Sequence, residues 1–362
     1  MRLAIIGAGL AGLMAAYELR NQPGLTVTVY EKSRGLAGRA ATRWFDRPAG
    51  RVYVDHGAQY LRDDPQQSPA LFALLHDLAA TESDERAAIT RPVWVLDRDG
   101  AIHEGDRTQN TAAKWSYRQG LTTLGKRIAT AGALDIKTQV RIDHLHVQPT
   151  GSNASRFSLI AADGQPIADA DQILLAIPSG QAADLLAASE WPAATVDQRD
   201  TLIGTLRQAV YRRCRAVTLG YEQPGVRARL DALPYYALIN TDRGHDIVWL
   251  AFEQDKPGHV PPGQAVIIAH MSNAFTVRTW DSDPVELASH VAGQVADLLG
   301  DDLRQPDWSD TQRWRYSQPD TLLDSATING QIDGLWFAGD YLRGGRMAFA
   351  AQSGADTALL LR

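Results

Sequence analysis

The chain has 362 residues, 22% of them charged and 44% hydrophobic, which is enough for two domains and a large core. A net charge of −6 and a pI near 5.8 give no electrostatic reason to expect nucleic acid or an anionic membrane as a partner. The single cysteine, Cys214, excludes an intramolecular disulfide and fits a reducing compartment, and its strand-like surroundings make burial its expected role.

The chain opens with a short apolar run, residues 3–6, followed by Gly7-Ala8-Gly9-Leu10-Ala11-Gly12. A helical stretch to about Arg20, a second apolar alternation at 27–30 and then Glu31 complete the order strand, glycine turn, helix, strand, acid. That order suits a dinucleotide. Gly7 permits the tight turn, Gly9 lets a pyrophosphate approach the backbone, and Gly12 lets the helix pack on the strand. The helix N-terminus offers free N–H groups and its positive dipole end. Glu31, roughly twenty residues past the glycines, can accept from a ribose 2′-OH and would repel a 2′-phosphate. Residues 3–17 could pass for the apolar part of a signal peptide, but only Arg2 precedes them and the glycines keep nucleotide spacing. The run is also too short to span a bilayer, so the expectation is a cytoplasmic protein with no membrane partner.

Beyond Glu31, Lys32-Ser33-Arg34-Gly35-Leu36-Ala37-Gly38-Arg39 suits a loop crossing a pyrophosphate, with Arg34 and Arg39 supplying charge-assisted hydrogen bonds. Residues 51–60 read as a strand ending in the glycine turn Asp55-His56-Gly57-Ala58-Gln59-Tyr60, where backbone would pass close to a ligand. A helix is expected over 69–80, with Leu71, Leu74, Leu75 and Leu78 on one face, and another over 120–131. Strands are expected at 136–147, 157–161 and 172–177, a turn at 149–155 and a helix at 181–188. From 200 to 280 the period shifts toward strands, at 216–221, 247–252 and 265–270. Asp283 as N-cap, Pro284 and Glu286 then start a helix that Gly300 stops. A strand at 335–337, a turn at 339–345 and a last helix at 347–361 close the chain, so that Gly339-Asp340 lies at a strand end and the helix N-terminus after Arg346 can face a flavin.

Residues 31–39, 55–60, Gly339-Asp340, Arg346 and Ser353-Gly354 resemble the FAD-binding signatures of the flavin amine oxidase superfamily. Within it, Trp249-Leu250-Ala251, Lys256-Pro257, His270 and Trp314-x-Tyr316-x-x-Pro319 resemble the renalase-like subgroup, and the likeness runs from Leu3 to Leu361. The resemblance implies an α/β fold in which a Rossmann-type FAD-binding domain (1–62, 125–190 and 305–362) is interrupted by an α+β substrate domain with an antiparallel sheet (63–124 and 191–304). It implies noncovalent FAD held by Gly7, Gly9, Ala11, Gly12, Glu31, Lys32, Arg34, Gly38, Arg39, Gly57, Ala58, Gln59, Val140, Gly339, Asp340, Arg346, Met347 and Ala350. The chain departs from the subgroup at Phe252 and Glu253, where an Arg-Asn pair is usual, and at Ala348 and Phe349, where Glu-Gly is usual. A bulky Phe349 there would reshape the substrate cavity.

Only one dinucleotide fingerprint occurs, so the substrate is expected to enter a pocket in the second domain and reduce the flavin directly at N5, with O2 as the expected oxidant and H2O2 as product. The subgroup implies oxidation of 2- and 6-dihydro isomers of NAD(P) to NAD(P)+. Losing hydride restores pyridinium aromaticity, so orientation matters more than a base, and no metal or Ser/His/Asp spacing is seen. His270, Tyr60, Trp314 and Tyr316 are the candidate substrate-site residues. His270 either hydrogen-bonds the substrate or is satisfied within a sheet; Trp314 and Tyr316, alternating on one strand face, either wall one cavity or belong to the core. Tyr60 and Gln59 either approach the flavin or simply pack. Arg212, Arg213 and Arg215 either attract a phosphorylated substrate or form a solvated face.

Two alternatives remain open. One is a small-amine oxidase, which in many relatives uses an aromatic sandwich and a lysine holding water near N5. The five lysines here, Lys32, Lys114, Lys126, Lys137 and Lys256, include none in an obvious active-site strand, and Lys256 lies in a Pro/Gly loop. The other is a flavoprotein without net redox turnover.

Overall fold

The computed structural model describes residues 1–62, 64–81, 85–149 and 156–362, so all but the first residue of the turn expected at 149–155 lies outside it. The apolar strand Arg2–Ile6 sits at the centre of a five-stranded sheet, pairing in parallel with Thr26–Glu31 and Gln172–Leu175. Asp135–Thr138 and Leu335–Phe337 complete the sheet as its edges, again in parallel. Burial on both faces explains why Arg2–Ile6, Gln172–Leu175 and Leu335–Phe337 read as near-continuous apolar runs. The first helix, Leu10–Leu19, is apolar all round because it lies between this sheet and the last helix, Met347–Leu360. A Cβ on Gly354 would lie 2.0 Å from the Ala11 carbonyl oxygen, so this glycine sets how closely the two helices pack.

A second, seven-stranded sheet runs in the spatial order Trp308–Pro319, Tyr211–Tyr221, Ala265–Met271, Ile247–Phe252, Ala237–Ile239, Val93–Leu96, Ile102–His103. It is antiparallel except where Val93–Leu96 runs parallel to Ala237–Ile239. Strand alternation gives it two distinct faces. On one, Val217, Leu219, Leu250, Phe252, Ile267 and Ala269 meet the helix Pro284–Leu299 through Leu287, Val291 and Val295. Asp283 starts that helix as expected, its carboxylate accepting from the Val285 and Glu286 N–H groups. On the other face, Ala216, Trp249, Ala251, Val266, Ile268 and Trp314 pack against Val52 and Val54 of the hairpin Thr42–Arg47/Gly50–Asp55.

Three expectations are corrected. The strand expected at 136–147 is two, Asp135–Thr138 and His144–Val147, because Gln139 at φ +61° turns the chain out of the parallel sheet into a small antiparallel one. Trp308–Pro319, expected with the nucleotide unit at 305–362, is hydrogen-bonded along Tyr211–Tyr221 in the large sheet. Conversely, Pro69–Thr81, expected with 63–124 in the substrate domain, buries Leu71, Leu74, Leu75 and Leu78 in the core of the first helix. Linear order does not reveal which sheet a helix or strand will join. No helix among the described residues is long and apolar enough to cross a membrane.

Candidate cofactor and substrate site

The three fingerprint glycines have three separate physical reasons to be glycine. Gly7 sits at φ +108°, and a Cβ there would lie 2.6 Å from the Ala176 carbonyl oxygen. At Gly12 a Cβ would lie 2.0 Å from the Gly7 carbonyl oxygen, so nothing larger lets the helix start against the turn. Gly9 is different: its φ is −73° and a Cβ would meet no protein atom within 4 Å. Gly9 thus borders open space at the N-terminus of a helix that no side chain caps. Unsatisfied N–H groups and a positive dipole end beside open space fit a pyrophosphate. The last helix also starts without a side-chain cap, after Arg346.

The loop 37–40 gathers the expected cofactor residues. Ala37 N–H donates to the Ala8 carbonyl at 2.9 Å, and a Cβ on Gly38, at φ +55°, would lie 3.3 Å from the Gly9 Cα. Ala58 N–H donates to the Arg39 carbonyl at 2.9 Å. A Cβ on Gly57 would lie 2.0 Å from that same oxygen, so Gly57 is required by Arg39 backbone rather than by the ligand approach expected of it. Arg39 does not stand free for phosphate either. Its guanidinium makes a two-pronged pair with Asp340 at 2.6 and 2.8 Å and donates to the Tyr316 and Ser317 carbonyls. Burial alone would weaken its charge, but Asp340 beside it raises its pKa above the usual value. Tyr211 completes the group, its hydroxyl donating to Asp340 at 3.2 Å.

Glu31 is buried, and its two carboxylate oxygens accept from Ala8 N–H at 2.9 Å and Ser33 N–H at 2.8 Å. It therefore ties the glycine turn to the following loop, a role the sequence did not suggest; each oxygen keeps a second lone pair. Val140 N–H donates to the Glu31 carbonyl at 2.9 Å. Gly339 N–H donates to Ser353 Oγ at 3.0 Å. Ala58, Met347 and Ala350 pack on the core around the first helix, whereas Lys32, Arg34 and Arg346 are exposed.

Next to the cradle, aromatic side chains converge. Tyr60, Tyr236 and Trp249 form a triangle with ring centres 6.0 to 6.3 Å apart. Trp249 pairs across the sheet with His270, and the Trp314 ring stacks on His56 at 5.3 Å while its Nε1 donates to the His56 carbonyl. Four buried polar atoms here have no partner among the described residues: His56 Nδ1, Tyr236 Oη, Trp249 Nε1 and His270 Nε2. Burial pushes the His56 and His270 imidazoles down to about 4, helped by Arg43 beside the first and Lys256 near the second. Both are thus neutral. Groups left unsatisfied in this way are costly unless a ligand or water meets them.

Not every candidate joins this wall. Tyr316 leans instead on Tyr211, at 5.4 Å, and on Gly180, whose Cβ would lie 2.8 Å from its ring. Phe252 is buried on the opposite face of the sheet against Tyr235, so its departure from the subgroup does not touch the aromatic cluster. Phe349 covers Gly344 in the loop before its own helix. Arg213 lies over Trp280 and Arg215 donates to the Thr279, Trp280 and Ser282 carbonyls, while Arg212 pairs with Asp320 at 2.9 Å.

Sequence reading missed His56, Tyr236 and the group beneath them. Asp55, Glu253, Lys256 and His259 are all fully buried. Lys256 Nζ lies 2.7 Å from Glu253 and 3.2 Å from Asp55, and His259 Nδ1 lies 2.9 Å from Glu253. Burial opposes the Lys256 charge, but the two carboxylates outweigh it and raise its pKa; Lys256 and His259 in turn hold Asp55 down against burial. Asp55, Glu253 and His259 have metal-ligand spacing, yet the ammonium already stands where a cation would. Glu253, Lys256 and His259 crowded beside an apolar strand were the available signal.

Comparison with known proteins agrees with this geometry. The profile of the flavin containing amine oxidoreductase family matches residues 90–361, and that of the NAD(P)-binding Rossmann-like domain matches residues 5–78. Among solved structures the chain is similar to a candidate protoporphyrinogen oxidase from an Exiguobacterium species, with a TM-score of 0.73 and 16% identity over 99% of this chain and 98% of that one. It is similar to cyclohexylamine oxidase from Brevibacterium oxydans, at 0.70 and 15% over 99% and 98%, and to putrescine oxidase bound to putrescine, at 0.70 and 14% over the full length of both. At such identities these likenesses establish the fold alone.

Proposed function

Since this chain belongs to the flavin containing amine oxidoreductase family and is an FAD-dependent oxidoreductase, we propose that it oxidises dihydropyridine nucleotides, the 2- or 6-dihydro isomers of NAD(P). FAD, when bound, supplies the hydride acceptor and hands the electrons on to O2. Gly7, Gly9 and Gly12 with the uncapped helix start would hold its pyrophosphate, and Glu31 its ribose. Arg39 and Asp340, already paired, would fix the floor between the cradle and the cavity.

The observation that carries this reading is the set of four unpartnered polar atoms among aromatic walls. A flat dihydropyridine stacks on Trp and Tyr rings, and its carboxamide offers both an acceptor and donors to such atoms. Neutral His56 and His270 suffice, because hydride loss from this ring requires no proton removal. The cavity thus needs to orient the ring and exclude water.

A second reading, oxidation of a small amine, is favoured by the Tyr60–Tyr236–Trp249 cluster, whose packed rings offer one apolar side to a neutral alkyl amine. Anaerobic mixing of the holoenzyme with dihydronicotinamide isomers and, separately, with common amines distinguishes them. Rapid bleaching of the visible flavin band by the isomers is expected; bleaching by amines alone would replace the first reading with the second.

A further inference from the structure

We infer that Lys256 is a positioning residue that acts on the bound cofactor through Gln59, rather than a lysine that presents its amine to the flavin or to water. The inference rests on FAD occupying the cradle described above. An ammonium has three N–H donors, and all three are spent: on Glu253 Oε1 at 2.7 Å, Asp55 Oδ2 at 3.2 Å and Gln59 Oε1 at 3.4 Å. The side chain is fully buried.

The other end of the Gln59 amide is fixed too. Its Nε2 donates to the Asp55 carbonyl and, at 3.3 Å, to the Gly57 carbonyl. Both ends of the amide are used, so its orientation is set by Lys256 on one side and by its own turn on the other. That turn lies against Arg39 through Gly57 and Ala58, stacks His56 on Trp314 and leads directly into Tyr60.

Lys256 is itself immobile, because its partners are anchored in several segments. Asp55 also accepts from Thr42 Oγ1 at 2.6 Å, Leu121 N–H at 2.9 Å and Ser116 Oγ at 3.0 Å. Glu253 accepts from Asp55 N–H at 3.2 Å, and His259 links Glu253 to the Tyr117 carbonyl, with 2.9 Å on each side. The hairpin, the Lys114–Tyr117 strand, the helix start at 121 and the 253–259 segment therefore meet at one charged knot. A preorganised support of this kind keeps a reacting pair aligned, and an error near 1 Å costs roughly 100-fold in rate.

The test uses the FAD-loaded full-length protein and two variants. Gln59→Met keeps Asp55, Glu253, Lys256 and His259 and removes the amide, with its tie to Lys256 and its two bonds within the turn. The double variant Glu253→Gln/Lys256→Met removes one charge of each sign and the tie together. Both are expected to retain FAD through dialysis, to alter the visible circular dichroism and midpoint potential of the flavin, and to slow its reduction about 10- to 100-fold with substrate affinity nearly unchanged. Wild-type dichroism and potential in Gln59→Met would overturn the inference and leave Lys256 a structural charge only. If the double variant does not fold, Gln59→Met decides alone. Dichroism and potential need no substrate, so they stand whatever the substrate is. Wild-type protein that takes up no FAD would instead sink the cofactor reading beneath.

Discussion

Gly9→Ala separates the cofactor from the fold. The added methyl meets no protein atom within 4 Å and the backbone, at φ −73°, accepts alanine without strain, so the unliganded protein should melt within about 1 °C of wild type. With FAD the outcome changes, because the same methyl enters the space assigned to the pyrophosphate and displaces it from the helix N-terminus. Losing one charge-assisted hydrogen bond costs about 2–3 kcal/mol, which corresponds to roughly 30- to 150-fold weaker binding. Gly12→Ala is the control, since its methyl would lie 2.0 Å from the Gly7 carbonyl oxygen and 3.1 Å from Ala176 Cβ. It should destabilise even the unliganded chain by about 2–4 kcal/mol. The assays are thermal melting of apoprotein and fluorescence titration with FAD. Wild-type affinity in Gly9→Ala would refute the placement of the pyrophosphate, however well the family is matched.

Lowering pH should destabilise the fold through His56 and His270. Their folded pKa values near 4 lie below the usual 6.5, so the unfolded chain binds more protons between those limits. Their contribution is complete above about pH 6.5 and is lost as pH falls toward 4, on the order of 3 kcal/mol for each. Urea melts across this range should show it, and His270→Asn should flatten the slope; an unchanged slope would mean the ring is already solvated. Arg39→Lys cannot reproduce the two-pronged pair with Asp340 while serving two carbonyls, and should cost about 2–3 kcal/mol in melting and weaken FAD retention on dialysis. Trp314→Phe removes the 3.0 Å bond to the His56 carbonyl, and should lower stability by about 1 kcal/mol and raise the substrate KM.

The glycine turn was legible in the chain alone because its parts are local. Gly7, Gly9, Gly12 and Glu31 lie within one strand–helix–strand unit, and the tight turn expected at Gly7 is the φ +108° found there. The cap at Asp283 and the strands at 247–252 and 335–337 were legible for the same reason. Lys256 does lie in the Pro/Gly loop expected of it, but its burial was not legible there. Its neighbours in sequence are Asp255 and Pro257, whereas its partners in space include Asp55 and Gln59, nearly two hundred residues away.

The amino-acid sequence by itself determined a dinucleotide turn and the alternation of helix and strand at both ends, because short-range periodicity and glycine sterics are written in consecutive residues. Only the tertiary structure decided that His56 and Tyr236 join the aromatic cluster, that Tyr316 and Phe252 do not, and that Arg39 is held by Asp340. Those outcomes depend on which face each strand turns toward its neighbours and on how two distant carboxylates share one buried ammonium. Such choices are settled by packing and desolvation over the whole molecule.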